Sequence, residues 1–361
     1  MSMYNILEET MSLTREKREL IKRQLVEMIN NDDKDFAPKL MESYGITLTS
    51  VRRYIDTPLN NNIIIKSSNK DCGYELVWME KSYVYNIKDT ALEEHEIYAD
   101  ILAPVITHCS QQACLIWPYV FVEIMNNAIE HSGGNKIICK IRKSFLFTDV
   151  IIADNGLGIF KRIKDYVKSE NDININTKDI IMELHKGKLT IAKYLHSGEG
   201  IFFVSKMLDY FAICSDNQVF YKGDSDDSSL KDYLESYAGK ISGHGTTVWM
   251  ELSNFTTKSM QEVFNEFSTD KEGFAKTTIP IYDICTGGYP VARSLARKLT
   301  FRMEEFSEIT LDFANVPMIG QGFAHEVFVV FKHKYPKINI LIKNANEDVQ
   351  NMISHVINTK Y

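Results

Sequence analysis

The sequence predicts a multidomain α/β protein, and three observations carry that reading. A chain of 361 residues exceeds one ordinary compact core, so two or three domains are expected. After residue 277 strand-like and helix-like segments alternate, as in a small α/β layer. In the middle third, the apolar run Val150-Ile151-Ile152-Ala153 enters Asp154-Asn155-Gly156, a strand delivering an acid into a turn.

Taken in order, Leu20, Ile21, Leu25, Val26, Met28 and Ile29 recur at helical spacing over Thr14–Asn30, and Asn31-Asp32-Asp33 ends that helix. A second helix reads from Phe36 to Ser43. Tyr44-Gly45 makes a turn, Thr47 or Thr49 caps the next segment, and Ser50–Ile55 forms a short basic helix. This is a helix-turn-helix pattern, with Thr49, Ser50, Arg52 and Arg53 as DNA-contact candidates. Ile63–Lys66 and Tyr74–Trp78 read as a hairpin that would make it winged. A small helical dimerisation domain is the rival reading, because acids balance bases between Met11 and Asp56. A helix from Glu93 to about Ile106 opens the central region, and Glu262–Lys276 reads as a linker helix. Beyond it come strands at Ile279–Ile284, Ile309–Phe313 and Ile338–Ile342, and helices at Tyr289–Leu299, Gln321–Phe331 and Glu347–Ile357. The expected domains are 1–90, 91–260 and 275–361.

Composition narrows the function. With 44% hydrophobic and 25% charged residues the chain has a globular balance, so it should fold throughout. A net charge of −7 gives no global attraction to nucleic acid or anionic membrane, so any DNA contact rests on a local patch. The six cysteines form no C-x-x-C pair, which fits reduced thiols better than a disulfide framework or a zinc site. The first 22 residues are charged, and the most apolar stretch, Cys114–Val122, is short and holds Pro118, so neither signal peptide nor membrane span is expected. The expectation is a cytoplasmic protein.

Four segments carry chemistry. Glu123, Asn127 and His131 fall four residues apart on one helical face. A carboxamide oxygen there suits Mg²⁺, and a neighbouring carboxylate can orient or deprotonate a water. Asn127 is the metal candidate and Glu123 the general base. Asp154 ends a buried strand and needs a partner, which an exocyclic amine such as that of adenine would provide, while Gly156 and Gly158 allow close backbone approach. Gly198 and Gly200 open an apolar helix, where free N–H groups and the helix dipole favour phosphate. Gly245, Thr246 and Thr247 begin an alternating strand. Each segment alone also fits a polar helix face or a common turn. No Walker A pattern and no dinucleotide-binding fingerprint occurs.

In this order the four segments resemble the N, G1, G2 and G3 boxes of GHKL ATPases, over roughly Glu93–Asn254. The resemblance implies a Bergerat α/β sandwich holding ATP between sheet and helices, with Mg²⁺ on Asn127 and the adenine amine on Asp154. It places His131 at the nucleotide site, Gly156 and Gly158 near the base, Gly198 and Gly200 at the phosphates, and Gly245, Thr246 or Thr247 near the adenine. It makes Phe160–His196 an ATP lid in which Lys186, Lys188 and Lys193 are phosphate-contact candidates. His95 lacks the surroundings of a histidine-kinase phosphoacceptor.

Residues from about Thr277 onward resemble a STAS-like domain of unknown function that follows GHKL domains, on Leu311–Phe328 and the Tyr289–Leu299 helix. STAS domains are the usual substrates of anti-sigma kinases, phosphorylated on a serine at the strand-to-helix turn. Between Leu311 and Phe331 this chain has no Ser or Thr, so that chemistry is excluded there. Gly320, Gln321 and Gly322 are expected to shape a contact loop to a protein partner. The expected function is an ATP- and Mg²⁺-dependent switch, an ATPase coupled to a DNA-binding transcription-regulatory module, with homodimerisation implied by the family. The alternatives are a serine/threonine kinase acting on a separate partner, and a non-hydrolysing, nucleotide-licensed component of stress response or phage defence.

Overall fold

A computed structural model describes residues 14–87, 92–171, 176–187, 199–216, 218–223, 245–269, 273–285 and 289–359, which form a mixed α/β protein with several sheets. Among the described residues three helices come first: α1 (Arg15–Asn30), α2 (Phe36–Tyr44) and α3 (Leu48–Asn60). The Thr14 hydroxyl accepts from Lys17 N–H and caps α1, Gly45 ends α2 at φ 63°, and Thr47 caps α3 by accepting from Ser50 N–H. Strands β1 (Ile64–Lys66) and β2 (Tyr74–Leu76) pair antiparallel. Ile21, Leu25, Val26 and Ile29 of α1 pack with Leu40, Val51 and Ile64, and that cluster extends to Phe145, Leu146, Phe147 and Phe255. Lys22 and Arg23 lie over the Phe145 and Phe255 rings, at 4.9 and 4.6 Å from the centroids.

Among the described residues the central sheet has six strands, all antiparallel: β3 (Met79–Asn86), β4 (Lys136–Lys143), β5 (Phe147–Asp154), β6 (Tyr210–Ser215), β7 (Gln218–Gly223) and β8 (Thr246–Ser253), in the order β3-β4-β5-β8-β6-β7. The strand β3 falls within the first ninety residues yet belongs to this sheet. Period-2 alternation sends Ile137, Cys139, Ile141, Val150, Ile152, Val248, Met250, Leu252, Phe211 and Ile213 into the main core, beneath the helices. Those helices are α4 (Glu94–Ile101), α5 (Gln111–Asn126), α6 (Ile159–Asn171), α7 (Thr177–Lys186) and α8 (Gly200–Met207). The helix expected over 93–106 breaks at Leu102, with Pro104 inside the short turn Ala103–Ile106 that follows.

On the other face, Asp149 lies opposite Glu251 in register and pairs with Arg142. Burial, and then the Asp149 carboxylate, push Glu251 up to about 8.

Helix α9 (Met260–Phe267) occupies only the first half of the expected linker helix. The chain then turns through a small hairpin, β9 (Ser268–Thr269) with β10 (Gly273–Phe274), because Phe274 is buried against the Phe202 and Phe203 rings. Three parallel strands close the chain, β11 (Lys276–Pro280), β12 (Glu308–Asp312) and β13 (Asn339–Lys343), in that order. Pro280 ends β11, so Ile281–Ile284, read as strand, is a helical turn. Helices α10 (Arg293–Thr300), α11 (Gln321–His325, continued by a π-helical turn Glu326–Phe331) and α12 (Glu347–Asn358) pack together around this sheet. Among the described residues no helix is long and apolar enough to cross a membrane.

Candidate functional site

A cavity of about 400 Å³ lies between the central sheet and its helices, a size that suits a small organic ligand. The sheet contributes Ile152, Asp154, Ile213, Thr246 and Val248, which is the alternation of one face. That same alternation points Thr247 away, so of the two threonines only Thr246 lines the cavity.

Asp154 ends β5 and is 8% exposed. Its Oδ1 accepts from Gly156 N–H at 2.8 Å and from Thr246 N–H at 3.3 Å. Both hydrogen bonds made among the described residues fall on Oδ1, which leaves Oδ2 for a ligand. Burial pushes the carboxyl up, and the two N–H groups and Arg162 oppose it. The turn beyond is fixed by contact: a Cβ on Gly156 would sit 2.1 Å from Ser132 O, and Gly158 has φ +85°. Gly156 and Gly245 do not line the cavity; they let Ser132 O and Asp154 O approach. Thr246 Oγ1 accepts from Ile159 N–H at 3.0 Å, which ties β8 to the start of α6 and leaves the hydroxyl proton available.

The opposite wall is α5 and the π-helical turn Asn127–His131 that prolongs it. π-turns of this kind concentrate at functional sites. Glu123, Asn127 and His131 all line the cavity. The Asn127 carboxamide makes no hydrogen bond to another described residue. The Glu123 carboxylate lies at the first turn of α8, where a Cβ on Gly200 would come within 2.2 Å of its Oε2. Gly198, Lys188 and Lys193 lie outside the described residues. Lys186 does not reach the cavity. It is 1% exposed and bonded to Glu183 and to the far domain, because its helix α7 packs between the two sheets.

Several lining residues went unread in the sequence, Tyr119 and Arg162 among them. Tyr119 precedes Glu123 by one helical turn and extends the 119-123-127 face; burial, then Glu123 and Glu199, raise its phenol. Arg162, whose backbone N–H donates to Gly158 O, is the one Lys or Arg among the described lining residues. Its spacing of four from Gly158 was the available signal.

In the N-terminal unit, Thr49, Arg52 and Arg53 are exposed on α3, whereas the Ser50 hydroxyl lies 3.2 Å from Thr47 Oγ1 within the cap.

Residues 295–350 match the family model of a STAS-like domain of unknown function (DUF4325). No curated protein matches the chain. In the STAS-like domain, Asp312 Oδ1 accepts from Ala314 N–H and Asn344 Nδ2, so this acid holds its own turn. Gly320 N–H donates to Pro290 O, and Glu326 receives Arg297 at 3.2 Å and Arg293 at 3.7 Å.

Proposed function

We propose that the chain is an Mg-ATP-binding regulator of the GHKL type, in which an ATPase switch is coupled to an N-terminal DNA-binding module and to the STAS-like domain. The observation that carries this reading is Asp154, an acid that lines a ligand-sized cavity and whose two hydrogen bonds to described residues both fall on Oδ1, leaving Oδ2 without one. A buried acceptor so arranged suits the exocyclic amine of adenine. The antiparallel sheet with helices on its cavity face supports the Bergerat reading of the central region.

The phosphates would be held toward the N-terminus of α8, where first-turn N–H groups lack intrahelical partners. Beside it the Asn127 carboxamide offers an oxygen that would suit Mg²⁺, since this ion keeps waters and phosphate oxygens and needs few protein ligands. When bound, Mg²⁺ neutralises phosphate charge. Glu123 orients the attacking water and accepts its proton, and Arg162 supplies the permanent positive charge of the pocket.

Helix α3 exposes Thr49, Arg52 and Arg53, with Lys66 and Lys70 on the neighbouring hairpin. Because α1 meets the Phe145–Phe147 turn, α3 remains available to a DNA groove, which supports the winged helix-turn-helix reading.

The test is Mg-dependent ATP binding and phosphate release by the intact protein beside Glu123→Ala. Binding kept and release lost in the variant is the expected result. ATP bound without release, or phosphate passed to a partner protein, would replace the ATPase by the licensing or kinase alternative. No ATP binding would sink the proposal.

A further inference from the structure

Helix α7 belongs to two sites at once. Its Leu184 is part of the cavity wall, while Glu183 and Lys186 turn into the C-terminal domain. The Lys186 ammonium uses all three of its donors: to Glu183 Oε1 at 2.6 Å, to Phe301 O at 2.7 Å and to Lys298 O at 3.2 Å. Those two carbonyls lie at the C-terminal end of α10, where helix carbonyls lack intrahelical partners and the dipole favours a cation. Glu183 Oε2 is buried without a hydrogen bond and lies 3.7 Å from Arg302 Nη1. Arg302, at φ 61°, is itself held by both oxygens of Glu305, at 2.9 and 3.0 Å. Around this core Thr277 Oγ1 donates to Lys186 O at 2.7 Å, and Lys298 Nζ to Asp179 Oδ1 at 2.8 Å.

A network of this kind contributes little stability beyond an apolar replacement, because burial opposes both charges. Burial lowers Lys186 and raises Glu183, against their mutual attraction. What it does supply is a fixed geometry: three donors, two carbonyls and a second cation define one placement of α7 against α10.

We propose that the C-terminal domain positions the nucleotide site, with Lys186, Glu183 and Arg302 as positioning residues that set Leu184 in the cavity wall. The proposal rests on the nucleotide reading of the cavity. Nucleotide binding and the packing of α10 on α7 are then linked, and linkage is reciprocal: the factor by which the intact network strengthens nucleotide binding is the factor by which nucleotide strengthens the network.

The experiment uses the full chain and two readouts, ATP affinity and hydrogen exchange of residues 293–305 with and without ATP. The double variant Glu183→Gln with Lys186→Met removes both charges together, so that neither is left buried alone. Lys298→Ala breaks the link to Asp179 at the edge of the same interface. Wild type is expected to show ATP-induced slowing of exchange over 293–305. The double variant should lose that protection and bind ATP roughly 5- to 150-fold more weakly, the usual range of coupling between sites. Lys298→Ala should move both readouts the same way by less. A merely structural role would lower the melting temperature and leave affinity unchanged, and a folded double variant with wild-type affinity overturns the proposal. If the double variant does not fold, wild type decides: protection over 293–305 supports the proposal and its absence overturns it. A wild type that binds no ATP overturns the proposed function and this inference with it, whereas binding without protection overturns this inference alone.

Discussion

Asp154→Asn separates recognition from folding at the centre of the site. The amide keeps an oxygen for the N–H groups of Gly156 and Thr246, which bond Oδ1 at 2.8 and 3.3 Å, and puts its NH₂ where Oδ2 stands. An adenine amine would then meet a donor instead of an anionic acceptor. Loss of a hydrogen bond to a charged group costs about 1.5–3 kcal/mol, and leaving buried donors unsatisfied about 1–3 kcal/mol more. At about 1.4 kcal/mol per factor of ten, ATP affinity should fall by about a hundredfold or more. Stability should move the other way. Burial raises the Asp154 carboxyl, so its ionised form is disfavoured in the folded chain at neutral pH, and a neutral amide removes that penalty. Calorimetric titration with ATP and GTP, paired with thermal melts without nucleotide, reads both effects. Wild type should prefer ATP, since the guanine carbonyl would face a carboxylate, and the variant should narrow that preference. ATP affinity within twofold of wild type in the folded variant would refute the assignment of the adenine site.

Three further outcomes are expected. Glu251 keeps its proton in the folded chain up to about 8 but loses it near its ordinary 4.5 when unfolded, so the folded state binds more protons in between and stability falls as pH rises across that window; Glu251→Gln should flatten the pH dependence of the urea midpoint from pH 5 to 8. Gly156→Ala drives a methyl to 2.1 Å from Ser132 O and should destabilise by about 1–3 kcal/mol, read by thermal denaturation, with ATP binding weakened as the turn shifts. Arg52→Ala with Arg53→Ala should weaken DNA binding at every sequence tested and reduce the slope of log affinity against log salt by about 2, because two phosphate contacts are lost; an unchanged slope excludes α3 as the DNA-facing helix.

Much of the architecture was legible because local signals agreed with tertiary needs. The helical spacing over Thr14–Asn30, the cap at Thr47, the glycine after α2 and the strand-helix alternation beyond residue 276 each placed an element within a few residues. The misreadings have identifiable causes. β3 reads Met-Glu-Lys-Ser-Tyr-Val-Tyr-Asn, an edge strand whose first four residues are all exposed and show no alternation, and its pairing with β4 makes it a strand. The helix over 262–276 stops at Phe267 because Phe274 has an aromatic cluster to join, which helical spacing cannot reveal. In the site, the residues at helical spacing came together, but the alternation that turns Thr247 away was not applied to the threonine pair. The lid resemblance makes Lys186 a phosphate-contact candidate, yet its side chain is buried away from the cavity. Its burial depends on carbonyls more than a hundred residues further along, at Lys298 and Phe301, and no local pattern encodes that distance.

The STAS-like domain carries no hydroxyl from Leu311 to Phe331, so serine or threonine phosphorylation cannot be its response at that turn. The loop there is instead pinned from several sides: Gly320 N–H to Pro290 O, Asn346 Nδ2 to Val316 O and Pro317 O, and Asp312 Oδ1 to the Asn344 amide. A Cβ on Gly320 would stand 2.6 Å from Val291 O, so the loop and the segment leading into α10 share one surface. Helix α10 is bracketed, with its carboxyl end on Lys186 and its Arg293 and Arg297 on Glu326, six residues beyond that loop. A displacement of α7 that carries α10 with it must therefore either break the Glu326 pairs or move the loop too. The second course breaks fewer contacts within the domain, since the pairs and the loop then travel together. That makes the Gly320 loop the part of the STAS-like domain that a displacement of α7 would carry with it through shape and contact alone.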